Sequence, residues 1–220
     1  VLLPLAMRIG LLGTLTDWVV ERSLEAAAAW SASGHHLRVS VNVCAVTLAD
    51  VKLPSRIGAA LDRHDVDPRR LVVEVTEDAI MSEPDTALAA IAALRRLGVS
   101  IAVDDFGTGH SSLAQLRRIA ATELKIDRSF VTAMRQDRFD REIVHVVVDL
   151  ARRLGMRIVA DGIEDFPTWQ ALGELGCGVG QGFGIARPMP ADALAQWLAR
   201  GGRAWPGEAE DEPEAEPVVS

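Results

Sequence analysis

Six times along these 220 residues a short apolar run closes on a polar residue and gives way to a stretch of helical periodicity. The apolar runs are 37–43, 71–76, 100–103, 123–126, 156–160 and 178–185. The helical stretches are 11–30, 51–61 (interrupted at Pro54), 86–97, 112–119, 139–154, 167–175 and 191–199, and most stop at a glycine such as Gly34, Gly98, Gly155 or Gly176. Strands that alternate with helices in this way form a parallel sheet with the helices outside it. A barrel or a doubly wound sheet of one domain suits the length.

Polar residues gather where each run ends. Asn42, Glu74, Asp104, Asp105, Lys125 and Asp161 lie at the carboxyl ends of their strands, with Gln181 inside the last one. In a barrel those ends form one face, and that face carries the active site. The densest stretch is 100–113, where an apolar strand runs into Asp104-Asp105 and then a loop with Gly107 and Gly109. Two adjacent carboxylates repel unless a cation or a proton lies between them. Oxygen ligands suit a hard divalent ion. Strand alternation sends neighbouring side chains to opposite sides, so both aspartates reach a common site only if the strand ends there, as Gly107 permits.

Charge narrows the function classes. The formal net charge is −8, and Glu208, Glu210, Asp211, Glu212, Glu214 and Glu216 supply six of the negatives, which leaves the remainder near −2. No basic stripe for DNA follows from that balance. Residues 1–204 read as the barrel domain and 205–220 as an acidic disordered tail. Cys44 and Cys177 are far apart, match no metal spacing and read as small buried apolar residues. No apolar run approaches the length of a membrane span, and no basic-apolar-cleavage pattern marks a signal peptide within these residues. A cytoplasmic location follows as an expectation. The chain opens on Val1 rather than Met, as a fragment or a processed chain would.

Five blocks resemble the EAL family, bacterial phosphodiesterases that linearise cyclic di-GMP. They are Val39-Ser40-Val41-Asn42-Val43, Glu74-Val75-Thr76-Glu77, Asp104 to Gly109 with Ser111-Ser112-Leu113, Leu124 to Val131, and Gly176-Cys177 with Gln181-Gly182-Phe183 and Arg187-Pro188. The resemblance implies a TIM-like (β/α) barrel of the EAL type, here incomplete with its first two strands missing. It implies two divalent ions, Mg²⁺ or Mn²⁺. Asn42 and Glu74 would ligate the first, Asp104 would bridge both, and Asp105 and Asp161 would hold the second. Lys125 would polarise the attacking water, so that Lys125, Asp105 and Asp161 carry the catalysis. Gln181 would line the substrate site, Glu77 would anchor the loop after Asp105, and Glu164 would support the site from behind its ligands. His110, where the family usually has Tyr, reads as an ordinary loop residue.

Two departures bear on activity. The Glu-Ala-Leu motif, whose Glu is a first-metal ligand, is absent from residues 1–220. Asp161 replaces the Glu expected in Ala160-Asp161-Gly162-Ile163-Glu164-Asp165, one methylene shorter, a deficit on the order of 1.5 Å where metal bonds tolerate only ~0.2 Å. The expected function is therefore a cyclic di-GMP signalling domain, a phosphodiesterase by resemblance that is weak or inactive as it stands. The alternative is a non-catalytic module that binds cyclic di-GMP or another protein. Expected partners are cyclic di-GMP, a second copy in a homodimer, and sensory or cyclase domains of a longer parent.

Overall fold

The computed structural model describes residues 2–107, 116, 118–202 and 218–219. It divides into two compact units, Val1–Asp104 with Gly109–Thr122 and Val219–Ser220, and Asp105–Thr108 with Glu123–Val218.

The first unit opens with helices Leu2–Arg8 and Leu12–Ala32. There follow strand β1 (Arg38–Asn42), helices Ala45–Leu48 and Leu53–His64, a 3₁₀ turn at Pro68–Arg70, and strand β2 (Leu71–Thr76). Helices Glu77–Ser82 and Pro84–Leu97 lead into strand β3 (Ser100–Phe106), whose last two residues count with the second unit. β1 pairs with β2 and β2 with β3, both in parallel. Val20, Leu24, Ala27 and Trp30 recur at helical spacing and are the buried stripe of Leu12–Ala32, which packs on β1 and on Leu53–His64. Ion pairs tie the two helices together: Arg56 reaches Asp17 at 2.8 Å, and Glu21 meets both Arg63 and His64, while Arg56 also holds Asp50, just ahead of its own helix, at 2.6 Å. The hydrogen bonds from His64 and then Arg63 hold the Glu21 carboxyl below its ordinary range.

Pro54 was expected to interrupt its helix. It instead lies in the first turn of Leu53–His64, where the missing N–H is one that no helix uses. The strand expected at 100–103 runs on to Phe106. Of the helix expected at 112–119, Leu116, Arg118 and Ile119 are described and are helical. Thr108, Gly109, His110, Ser111, Ser112 and Leu113 lie outside the described residues, as does most of the tail, in which Val218–Val219 form a two-residue strand.

The second unit contains strand β4 (Glu123–Ile126), helices Arg128–Ala133 and Arg138–Arg153, and strand β5 (Arg157–Ala160). Helices Phe166–Leu175 and Ala191–Ala199 follow. β4 and β5 pair in parallel. The sixth strand, expected at 178–185, does not form. Gly180 makes a single bridge to Ala160, and the chain then turns at Gly182. Alternate glycines mimic the period of a strand but leave no side chains to pack as one. Among the described residues no helix is long and apolar enough to cross a membrane.

The two cysteines were expected to be buried alike, and they differ. Cys44 is exposed beside Thr47, whereas Cys177 is fully buried and its thiol is pushed up to about 11 by burial. A thiol reagent at pH 8 is expected to label one cysteine in the folded chain and two after unfolding, because the thiolate is the reacting species. Labelling of Cys177→Ser at the wild-type stoichiometry would confirm Cys44 as the reactive one.

Candidate active site at the strand ends

In the first unit the register sorts the sheet into two faces. Asn42 stands opposite Glu74, Glu74 opposite Ala102, and Thr76 opposite Asp104. Residues in register, and those two apart on one strand, share a face. One face therefore presents Ser40, Asn42, Val72, Glu74, Thr76, Ser100, Ala102 and Asp104. The other presents Val39, Val41, Leu71, Val73, Val75, Ile101 and Val103, all of them buried. Asn42, Glu74 and Asp104 thus share the polar face near the carboxyl ends of three adjacent strands. Glu74 is only 1% exposed. Glu77 opens the next helix, whose N-terminus is capped by the Thr76 hydroxyl accepting from the Ala79 N–H at 3.2 Å. The loop that Glu77 was expected to anchor lies outside the described residues.

In the second unit Glu123, Lys125 and Asp127 fall on one face, with Val159 opposite Lys125 and Asp161 two residues farther along. Leu124, Ile126, Ile158 and Ala160 form the apolar face. Lys125 is 4% exposed. Asp161 donates its N–H to the Ile126 carbonyl at 3.1 Å, and Gln181 donates its N–H to the Ala160 carbonyl at 2.8 Å. Lys125, Asp161 and Gln181 are thereby gathered at one end of this unit's sheet. Asp161 Oδ1 accepts the Gly162 N–H at 2.7 Å, so that this short carboxylate is turned back onto its own backbone. Gly162 has φ +82°, and a Cβ there would lie 2.6 Å from Arg128 Cβ. Glu164 pairs with Arg128 at 3.6 Å, and both are largely exposed.

Asp105 resolves the alternation problem by a different route from the one expected. The alternation is broken at Asp105 itself, a left-handed residue (φ +54°) inside β3, before Gly107 is reached. Aspartate tolerates that left-handed conformation better than most residues. The exposed Asp105 side chain hydrogen bonds to Asp127. Burial raises the Asp127 pKa, but hydrogen bonds from the Ser129 hydroxyl and N–H, from Asp105 and from the Arg128 N–H outweigh it and hold the carboxyl below its ordinary range. Two carboxyl groups in contact need a shared proton or a cation between them. Asp105 and Asp127 therefore suit a divalent ion, as do the oxygen-only donors on the first unit's polar face. No group of three or more His, Cys, Asp or Glu side chains stands in ion-binding geometry among the described residues.

Asp127 is the site residue that sequence reasoning passed over. Its spacing of two from Lys125 was the available signal, since it fixes a common face. Asp127 also caps the helix Arg128–Ala133 through the Ser129 N–H at 2.9 Å, which makes it look like an ordinary helix start.

Comparison with known proteins places the chain in a family. The EAL domain family matches residues 1–188. The bifunctional diguanylate cyclase/cyclic di-GMP phosphodiesterase MucR of Pseudomonas aeruginosa is 40% identical over 198 residues, covering 90% of this chain and 29% of that protein. The cyclic di-GMP phosphodiesterase NbdA of the same organism is 38% identical over 190 residues, covering 86% of this chain and 24% of its own. The chain therefore spans less than a third of the length of these curated relatives. Among solved structures, the MucR phosphodiesterase in complex with cyclic di-GMP superposes with a TM-score of 0.83 at 40% identity, covering 88% of this chain and 78% of that one. The EAL domain of Mycobacterium smegmatis DcpA gives 0.83 at 30% identity, covering 89% and 88%. The expected fold class, an incomplete TIM-like barrel of the EAL type, is the one found.

Proposed function

The chain belongs to the EAL domain family, and from that premise we propose that it binds cyclic di-GMP and is, by ancestry, a divalent-metal-dependent phosphodiesterase that opens it to linear pGpG. The observation that carries this reading is the register, which sets Asn42, Glu74 and Asp104 on one polar face at the strand ends. Asn42, Glu74 and Asp104 would hold a first Mg²⁺ or Mn²⁺, and Asp104, Asp105 and Asp161 a second. Such ions, when bound, supply a nucleophile at neutral pH and neutralise charge in the transition state. Lys125, almost fully buried, holds the attacking water and offers its proton-rich nitrogen to the developing charge. Asp127 orients Asp105 through their hydrogen bond. Gln181 lines the substrate site, Glu77 anchors the loop after Asp105, and Glu164 steadies the loop after Asp161 through Arg128. The cytoplasm, where cyclic dinucleotides act, is the proposed location. A homodimer and sensory or cyclase domains in a longer parent are the proposed partners.

A second reading has its own observation. Asp161 is short and already bonded to Gly162 N–H, which favours a module that binds the nucleotide and hydrolyses it slowly. The test is linear dinucleotide formation with Mn²⁺ or Mg²⁺, alongside cyclic di-GMP binding. Residues 1–220 alone are expected to bind but to turn over near background. Asp161→Glu alone is expected to leave turnover there, and a relative's Glu-Ala-Leu segment joined ahead of Val1 to raise it more. Both changes together are expected to raise it most. Robust turnover by residues 1–220 would reject the second reading, and absence of binding would reject both.

A further inference from the structure

The sheet of the first unit has an edge that the ion chemistry leaves unused. β1 pairs with β2 on one side, and strand β6 (Val218–Val219) is its neighbour on the other. Val219 counts with the first unit. Successive N–H groups of an extended strand point to opposite edges. The Val43 N–H donates to the Glu74 carbonyl at 2.9 Å, so alternate residues from there, Val41 among them, bond toward β2. The main-chain groups of Ser40 and Asn42 therefore turn to the edge that β6 takes. β1 has the burial of an inner strand: Val39, Ser40 and Val41 are all buried. A strand of that kind with a bare edge is a template for pairing with another chain. The sequence leading into β6 opposes such pairing. Val218 and Val219 are β-branched, as strands prefer. Pro217 has no N–H to give to a ladder, which keeps the strand short. Six carboxylates between Glu208 and Glu216 lie just ahead of it, and charge beside an apolar strand discourages the stacking of copies.

We propose that β6 is a displaceable cap on the outer edge of β1. It satisfies the main-chain groups of Ser40 and Asn42, which cost free energy if left without partners. It steadies the strand that carries Asn42, and it denies the edge to a second copy of the chain. Two residues give the ladder only one or two hydrogen bonds, each of small net worth. A longer strand can therefore displace β6 by making more of them. The partner that this edge fits is an extended apolar segment without acidic neighbours, which adds to the sheet as a further strand. The proposal is independent of ion and nucleotide binding.

The experiment compares residues 1–220 with two variants. The double variant Val218→Pro, Val219→Pro removes two N–H donors and keeps every charge. A chain cut after Ala204 removes β6 and the acidic run together. Amide hydrogen exchange, read residue by residue, is expected to be about 10-fold faster at Ser40 and Asn42 in both variants, and unchanged at Val41 and Val43, which bond to β2. Light scattering at equal concentration is expected to find larger species for both variants than for residues 1–220, and the largest for the cut chain. Equal exchange at Ser40 and Asn42 in all three chains would overturn the proposal. So would a loss of protection shared by Val41 and Val43, because β6 would then support the whole fold and not the edge. Lost protection without larger species would overturn the shielding role, since the bare edge would then need no cover.

Discussion

Asp104→Asn is expected to weaken Mn²⁺ binding more than any other single carboxylate change, and to lower whatever cyclic di-GMP hydrolysis the protein supports by about 10²–10³-fold. Asp104 shares the polar face with Asn42 and Glu74 and precedes Asp105, where the alternation of the strand is broken. In the proposed scheme it alone serves both ions. The amide keeps the shape and one oxygen but removes the charge, so the effect isolates electrostatics from packing. Calorimetry with Mn²⁺ on wild type, Asp104→Asn and Glu74→Gln reads the ranking directly. Equal affinity of wild type and Asp104→Asn would contradict the assignment. The melting temperature is expected to hold, since Asp104 is only half-buried.

Gly182→Ala is expected to destabilise the fold by about 1–3 kcal/mol, the usual cost of forcing extra atoms into packed structure, and to impair nucleotide binding at the same time. The added methyl would meet backbone on every near side: Ile163 O at 2.1 Å, N at 2.4 Å and C at 2.7 Å. Backbone cannot step aside as a flexible side chain can, so the strip 181–184 has to lift from residues 160–163. Gln181 and Phe183 would move with it. Gly178→Ala is the matched control, because a Cβ there has nothing within 4 Å. Thermal melts of the two variants, with cyclic di-GMP titrations beside them, check both halves. An unchanged melt for Gly182→Ala would show that the strip is not held as described.

Much of this architecture was legible in the residues, for reasons that differ from place to place. The strands at 71–76 and 123–126 and the helix at 191–199 were bounded as found. Thr76 and Asp127 act as helix caps directly after or at the close of their strands, and a cap marks a boundary sharply. The segment 178–185 misled because Gly178, Gly180, Gly182 and Gly184 imitate strand alternation while serving close backbone approach instead. Pro54 misled because a first-turn proline and a helix-breaking proline look alike until the helix start is known. The polar strand ends gave most of the candidate site. What no linear pattern could supply was the left-handed backbone at Asp105 and its contact with Asp127, which depend on two segments far apart in sequence. The division of the chain into two units, cut between Asp104 and Asp105, was equally invisible.

The separation of faces within each sheet has an evolutionary consequence. Folding is driven by Val39, Val41, Leu71, Val73, Val75, Ile101 and Val103 in one unit and by Leu124, Ile126, Ile158 and Ala160 in the other. The proposed chemistry depends on side chains pointing the opposite way. A lineage can therefore lose or shorten a reactive group without endangering the scaffold, because natural selection removes chiefly those changes that push stability below its threshold. In the proposed scheme, Asp161 in place of the longer acid expected from the family resemblance would be one such change. Descendants of a hydrolase built on this plan can drift into receptors for the same messenger, keeping the shape while the reaction fades.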